Sequence, residues 1–420
     1  MHGVKVLGTG LLFWLAVMPI AMASEPAHTS SASPPGVSAA IGTMPAPYKA
    51  KPEQLALLHR MAARDVDPDR MKRCLDYPDP PGVQWNVREV ALFCALQFDP
   101  VLTLAQLKQR FDSDGAKGLD RYFAGLRRVQ DNDAQGWKLD EAMTSTFGCA
   151  CKEARDLADA WLAAAPKSPW AWVASGLQYS AAAGEARGTE FFQDTPPERV
   201  ARMEKLDAKA VDALEHALSI DPRLTPAISE MIWVDAREGR AEKARARLFA
   251  ALGSEPGNMA LHMTAATMLQ AKWVGSGQEL AAEKQRAQQG SARYPALLMV
   301  VSKIAWSEKA CKDCTWSRDE IEAANRIGPS LPIFRELMRQ AMTAHDFATV
   351  AIYASEVLRL SKTTEISARV QRGMARVQMG DLDGAEEDGE AALAVKAGYQ
   401  PAMALMQLVS YKRKAATHAP

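Results

Sequence analysis

Apolar residues recur three and four positions apart along nearly all of the chain after residue 52. This spacing is typical of helices that bury one face. The same segments are rich in Ala, Leu, Glu, Arg and Met, which are strong helix formers. The sequence has no convincing alternating run of β-branched residues of the kind that indicates a strand. The pattern therefore predicts an all-α fold with no significant sheet.

One group of small and apolar positions repeats with a fixed internal spacing. Offsets of 0, +4, +7 and +12 are occupied by Ala244, Leu248, Ala251 and Pro256. The same offsets carry the same residue types from residue 210 and a looser version of them from residue 154. Self-similarity of this kind is the signature of a repeat architecture, so the pattern predicts stacked helix pairs.

The preceding helix of the unit has a pattern of its own. Trp172, Gly176 and Tyr179 stand in the spacing of the first helix of a tetratricopeptide repeat, with Ser175 where that family has Leu. The chain thus resembles tetratricopeptide-repeat proteins, whose unit is a helix pair. The resemblance implies an α-solenoid of stacked antiparallel helix pairs.

Two places interrupt the period: an insertion over residues 182–203 and an unusual turn over residues 272–277. Together they resemble an uncharacterised bacterial family of unknown function that is related to these repeats. That family carries Arg-Gly after its first repeat helix and a Pro-Arg-Trp-Gly-Gly-Ser phrase two repeats later. Arg187 and Gly188 match the first motif, and Trp273, Gly275 and Ser276 match part of the second. The resemblance implies an all-helical fold and no assigned activity.

The patterns divide the chain into five parts. Residues 1–23 have the basic start, short apolar stretch and small-x-small ending of a secretory signal peptide, which predicts a periplasmic or secreted protein. Residues 24–51 are rich in Pro, Ser and Ala and are expected to form a disordered tether. Irregular helices over 52–134, expected to cap the array, precede repeats over 135–310 and further repeats with a capping helix over 311–420.

The charges of the chain balance, with 50 basic and 50 acidic residues. Such a chain has no overall field to attract nucleic acid, which is therefore not expected as a partner. No other stretch is long and apolar enough for a transmembrane helix once the signal is cleaved. The sequence does not decide the oligomeric state.

Six cysteines fall into three close groups, namely Cys74 with Cys94, Cys149 with Cys151, and Cys311 with Cys314. In an exported protein this favours structural disulfides, although six cysteines allow 15 pairings. A bridge between the first two cysteines could join two antiparallel helices across a Pro-rich turn. The alternative is a zinc or redox site built from the two later groups, but no His stands near either. We predict no metal site and no cofactor.

Catalytic motifs are lacking. The sequence has no HExxH, no nucleophile elbow and no phosphate-binding or dinucleotide loop, so no catalytic residue is assigned. Arg187 and Trp273 are a possible ligand site, because both lie in the breaks and Arg can bind a carboxylate bidentately. Alternatively, Arg187 caps a helix end or pairs with Glu185 or Glu190, and Trp273 fills a gap in the array.

A partner is expected in the groove that the first helices of stacked pairs line. Groove positions 2, 5, 9, 12 and 13 of units that begin at residues 169, 225 and 331 include Trp170, Leu177, Trp233, Arg237, Arg335 and Arg339. Aromatic and Arg side chains contribute much of the free energy of binding at interfaces. Alternatively, the insertion buries Trp170 and Trp233, or the N-terminal helices fill the groove.

These observations favour an exported, non-catalytic scaffold that binds a protein or peptide in the cell envelope. One alternative is an envelope enzyme with a site near Arg187 and Trp273. Another is a scaffold that responds to metal or redox state through its cysteine pairs.

Overall fold

The computed structural model describes residues 48–132, 136–190, 194–309, 315–361 and 365–417. These residues form nineteen α-helices and no strand, which confirms the predicted all-α fold. The signal peptide, most of the tether, Cys311 and Cys314 lie outside the described residues. Within the described residues, no helix has the length and apolar character needed to cross a membrane.

The helices, in chain order, are α1 Pro52–Asp65, α2 Arg70–Asp76, α3 Val87–Phe98, α4 Leu104–Asn132, α5 Lys138–Phe147, α6 Lys152–Ala164, α7 Pro169–Arg187, α8 Pro197–Ile220, α9 Thr225–Arg237, α10 Ala241–Ser254, α11 Met259–Met268, α12 Gly277–Gly290, α13 Leu297–Glu308, α14 Arg318–Asn325, α15 Leu331–Thr343, α16 Phe347–Leu360, α17 Ile366–Met379, α18 Leu382–Val395 and α19 Gln400–Thr417.

Consecutive helices pack as pairs, and the pairs stack through their first helices. The pairs include α7 with α8, α9 with α10, α15 with α16 and α17 with α18, while α7, α9, α11 and α13 contact one another in succession. The repeated small residues allow these close crossings. A Cβ on Gly176 would lie 2.5 Å from Cγ of Leu214, and both Ala210 and Ala244 are fully buried. The predicted α-solenoid is therefore the fold of the chain.

The predicted insertion is mostly helical. The first helix of this pair, α7, continues to Arg187, and α8 begins at Pro197, so only residues 188–196 connect them. Gly188 adopts a φ of 79°, which ends α7 without a steric penalty. The helical parts of the insertion are rich in Ala, Glu and Arg, whose helix propensity lengthens both helices.

The sequence suggested that the N-terminal helices cap the array, and in the structure they pack in two separate places. While α4 adjoins α5 and α6, α1 to α3 pack across α16, and α3 also touches α13. Trp85 donates a hydrogen bond through Nε1 to the Asn325 carbonyl at 2.7 Å, and Tyr48 donates to Asp346 at 2.6 Å. Apolar side chains of α1 and Tyr77 are buried against Ile352, a long-range contact that local spacing does not reveal.

Buried ion pairs hold this N-terminal segment in place. Arg359 donates to the Cys74 carbonyl at 2.8 Å and pairs with Glu356 at 3.1 Å. Arg372 pairs with Asp388 at 2.7 Å and with Asp65 of α1 at 2.6 Å. Removing one partner of such a pair would leave an uncompensated buried charge, so the network makes the docking of α1 specific.

Two disulfides lie within the described residues. Cys74 and Cys94 join α2 to α3 with their Cα atoms 5.8 Å apart. Cys149 and Cys151 are bonded to each other, with Cα atoms 5.2 Å apart, between α5 and α6. The first bridge therefore fixes two of the helices that pack across α16.

Candidate functional site

Half-buried aromatic and apolar side chains line the first helices of the middle pairs. We call Trp233 of α9, Met263 of α11, Trp273, Trp306 of α13 and Trp316 the aromatic strip. Trp233, Met263 and Trp306 lie on first helices, which form the inner face of a stacked array. Trp273 and Trp316 lie outside helices and pack on Trp233 and Trp306. Its side chains pack against the main core while part of each remains exposed.

Two tryptophan pairs fix the geometry of the aromatic strip. The rings of Trp233 and Trp273 meet edge to face with centroids 5.3 Å apart. The rings of Trp306 and Trp316 stack with centroids 5.9 Å apart and planes 20° apart. Aromatic pairs of these geometries stabilise each other beyond simple burial, so the surface is preorganised.

Lys303 of α13 reaches across to the neighbouring first helix, α11. Its ammonium donates to Thr267 Oγ1 at 3.0 Å and to the Met263 carbonyl at 3.3 Å, both on α11. Burial lowers the pKa of Lys303 to about 8. Among the described residues no carboxylate pairs with it.

Arg237, one turn after Trp233, is part of a polar cluster between α7, α8 and α9. It donates through Nε to Asp207 at 3.0 Å and through Nη2 to Ser180 at 2.8 Å. Ser180 in turn donates to the buried Glu230 carboxylate, and burial raises the pKa of Glu230. Only 17% of the Arg237 side chain is exposed, so most of its charge is neutralised within the fold.

Arg187 is the last residue of α7 and is partly buried. Burial lowers the pKa of Arg187, and the nearby Arg237 lowers it further, while Glu190 opposes this. Arg199 makes contacts of the two kinds that the sequence allowed for Arg187, whose own role stays a prediction. Arg199 donates to the Ala186 carbonyl at 3.1 Å near the end of α7 and pairs with Glu190 at 3.1 Å.

The residues that stand out in the second break, the turn over 272–277, have structural roles. A Cβ on Gly275 would overlap the backbone of Leu269, so this turn requires glycine. The hydroxyl of Ser276 accepts from the Glu279 amide at 3.2 Å and caps α12. Trp273 packs edge to face on Trp233, which joins the turn to the aromatic strip.

The other groove residues predicted from the sequence fall in two different places. Trp170 is 7% exposed, stacks on Phe123 of α4 and borders a surface pocket of about 580 Å³, while Leu177 is 1% exposed. Arg335 and Arg339 are exposed on α15, where they pair with Glu365 and Glu336. The partner-binding role of each of these residues stays a prediction. Arg187 lies near Arg237, and Trp273 packs on Trp233, one turn before Arg237 on α9. The other predicted residues lie elsewhere.

Sequence reasoning missed Lys303, although the register contains a signal for it. In units that begin at 225, 259, 295 and 331, groove position 9 is Trp233, Thr267, Lys303 and Arg339. The units that begin at 259 and 295 have degenerate motifs, which hide the repeat register there. The hydrogen bond between Lys303 and Thr267 links two of these equivalent positions directly.

Metal-binding groups do not cluster in the described part of the chain, where no three His, Cys, Asp or Glu residues could hold an ion together. Cys149 and Cys151 use their sulfur atoms in a bond to each other. A site that also used Cys311 and Cys314 would lie partly outside the described residues, so the metal or redox alternative stays a prediction.

Comparison with known proteins adds little to the site. No family model matches the chain, and no curated protein matches it. A crystal structure of the APC/C hetero-tetramer Cut9-Hcn1 is similar, with a TM-score of 0.31 and 13% sequence identity over 86% of this chain. The chain spans 64% of the length of that matched chain.

Proposed function

We propose that the chain is an exported helical-repeat scaffold that binds a protein or peptide partner in the cell envelope and carries out no chemistry itself. The observation that supports this most is the aromatic strip, a partly exposed set of tryptophans on the inner face. Tryptophan is enriched among residues that contribute most to binding at protein interfaces.

Partner capture tests the role of the aromatic strip. We expect the double variant Trp233→Ala and Trp306→Ala to lose the partners that the parent chain recovers from envelope extract, because both rings contribute binding area. The control is Phe249→Ala on the second helix α10, whose ring is 37% exposed outside the strip. Equal recovery by the parent and the double variant would refute the proposal.

Arg237→Ala is a poor probe of the same surface. Asp207, its partner, is completely buried, so removal of the guanidinium would leave a buried carboxylate without its cation. A loss of partner binding in that variant would therefore report partial unfolding as readily as a lost contact.

The proposal includes export of the chain to an oxidising compartment outside the cytosol. The signal-like residues 1–23 support it, and so does the Cys74–Cys94 disulfide, because disulfides persist mainly in oxidising compartments. Cell fractionation with N-terminal sequencing should find the chain outside the cytosol, beginning after Ala23. Recovery of a cytosolic chain with its N terminus intact would contradict this part of the proposal.

The five-part division of the chain and membership of the bacterial family of unknown function belong to the same proposal. The family motifs that support it are Arg187 with Gly188, and Trp273 with Gly275 and Ser276. The glycines have backbone roles in this fold, while Trp273 belongs to the aromatic strip. We therefore expect the motifs to mark both the scaffold and the binding face.

A further inference from the structure

We propose that Lys303 is the anion-binding residue of the aromatic strip, and that the partner presents a carboxylate flanked by apolar side chains. This inference rests on the proposed function, because it specifies the chemistry of the partner that the strip binds.

The ammonium of Lys303 is incompletely compensated. An ammonium has three donors, and here two of them reach uncharged acceptors, Thr267 Oγ1 and the Met263 carbonyl. The lowered pKa shows that the surroundings disfavour the charge, with burial as the cause. Burying a charge without a counter-ion costs free energy, so an anion that reached the ammonium would stabilise its charged form.

Three Arg residues at predicted groove positions are already paired. Arg237 binds Asp207 and Arg335 binds Glu365. Arg339 binds Glu336 through two hydrogen bonds, of 2.7 Å and 2.5 Å. Lys303 lacks such a carboxylate among the described residues, and a carboxylate supplied by a partner would form the ion pair.

The surroundings of Lys303 define what accompanies the carboxylate. Trp306 follows three residues later in α13 and so lies on the same side of that helix, and it stacks on Trp316. Met263, whose carbonyl accepts from Lys303, adds a further half-buried apolar side chain. An acidic residue between apolar neighbours, or an apolar C-terminal residue with its free carboxylate, matches this combination.

A peptide array provides the test. The exported chain is applied to short random peptides synthesised twice, once with a free C-terminal carboxylate and once amidated. Lys303→Met keeps the length and apolar stem of the side chain and removes the charge, while Lys205→Met, on the exposed side of α8, is the control for net charge. Thermal unfolding of each variant is measured in parallel.

We expect bound peptides to combine a carboxylate with apolar residues, and Lys303→Met to weaken them at least about tenfold, since a hydrogen bond between charged groups is worth on the order of 1.5–3 kcal/mol. Loss of binding on amidation would assign the carboxylate to the C terminus, whereas loss on Asp→Asn or Glu→Gln would assign it to a side chain. Lys303→Met should unfold at the same or a higher temperature, because an uncompensated charge has been removed. Lys205→Met should bind like the parent.

Two results would overturn the inference. Peptides that bind in a Trp233-dependent way, without a carboxylate requirement and equally well to Lys303→Met, would refute the role of Lys303 while the proposed scaffold function stands. If no peptide binds and the double tryptophan variant recovers the same partners as the parent, the scaffold function itself fails, and this inference fails with it.

Discussion

At the scale of single residues, two positions require glycine for different reasons. One belongs to the repeat pattern, and the other belongs to a turn that interrupts it. Gly176 matches the repeat pattern, and the structure shows that Leu214 fills the space its side chain would need. Gly275 lies in a break of the pattern, and the Leu269 backbone occupies the corresponding space there. The need for glycine at position 176 could be predicted from the spacing of the repeat. The need for glycine at position 275 is visible only in the folded turn.

A pair of glycine variants tests this distinction. Gly275→Ala should lower the free energy of unfolding by about 2 kcal/mol, because the added Cβ overlaps backbone that cannot move aside cheaply. Gly277→Ala is the matched control, since nothing lies within 4 Å of its added Cβ. Urea unfolding measures both. Equal stability of the two variants would show that the turn relaxes around the methyl group.

At the scale of elements, the existence of the helices followed from the sequence, while the long-range packing partner of α1 to α3 did not. The irregular helices expected over 52–134 include α1 and α2. Their packing across α16 depends on Tyr77 and Ile352, which are far apart in the chain and meet only in the folded molecule. The disulfide between α2 and α3 holds this unit together as an element pair.

Removal of that disulfide should weaken the N-terminal unit. The double variant Cys74→Ser and Cys94→Ser opens a loop with a sequence separation of 20 residues, and we expect a loss of about 3 kcal/mol. Cys149→Ser with Cys151→Ser is the control, because a separation of two residues constrains the unfolded chain far less. Thermal unfolding without reductant compares the variants. A larger loss in the control would contradict this account.

At the scale of the whole molecule, the beginning of the described chain is tied to its C-terminal repeats. Glu89 of α3 lies against Gly328, in the turn between α14 and α15, and neither of its carboxylate oxygens has a hydrogen-bond partner among the described residues. Burial raises the pKa of Glu89 to about 9. The docked segment therefore contains a carboxyl group that stays protonated near neutral pH.

This group should make stability depend on pH. The folded pKa lies above the unfolded value of 4.5, so the folded state keeps the proton longer, and stability falls as pH rises from about 4.5 toward about 9. Glu89→Gln should remove on the order of 3 kcal/mol of the loss between pH 4.5 and pH 7. Urea unfolding across this range measures it. A remaining slope is expected from Asp140 and Glu356, whose pKa values burial raises to about 7. An unchanged slope in Glu89→Gln would refute the assignment.

The candidate site was only partly predictable. Trp233 and Trp273 stand out in the sequence because one occupies a groove position and the other a break in the period. Arg237 occupies a groove position and is of a type common at interfaces, but Asp207 of the neighbouring pair neutralises it. Lys303 was missed because its repeat unit lacks the usual motif. Residue type and position in the repeat are visible in a short stretch of sequence. Which charged side chains lack an ion-pair partner depends on contacts between distant segments.

The sequence by itself determined the helices, their pairing along the chain and the solenoid, because helix propensity and the spacing of apolar residues act over a few turns of one segment. The tertiary structure decided which side chains remain open. It placed α1 to α3 across α16, neutralised Arg237 and left Lys303 without a carboxylate among the described residues. Burial and charge pairing depend on segments distant in sequence, so these features arise only when the whole array is packed.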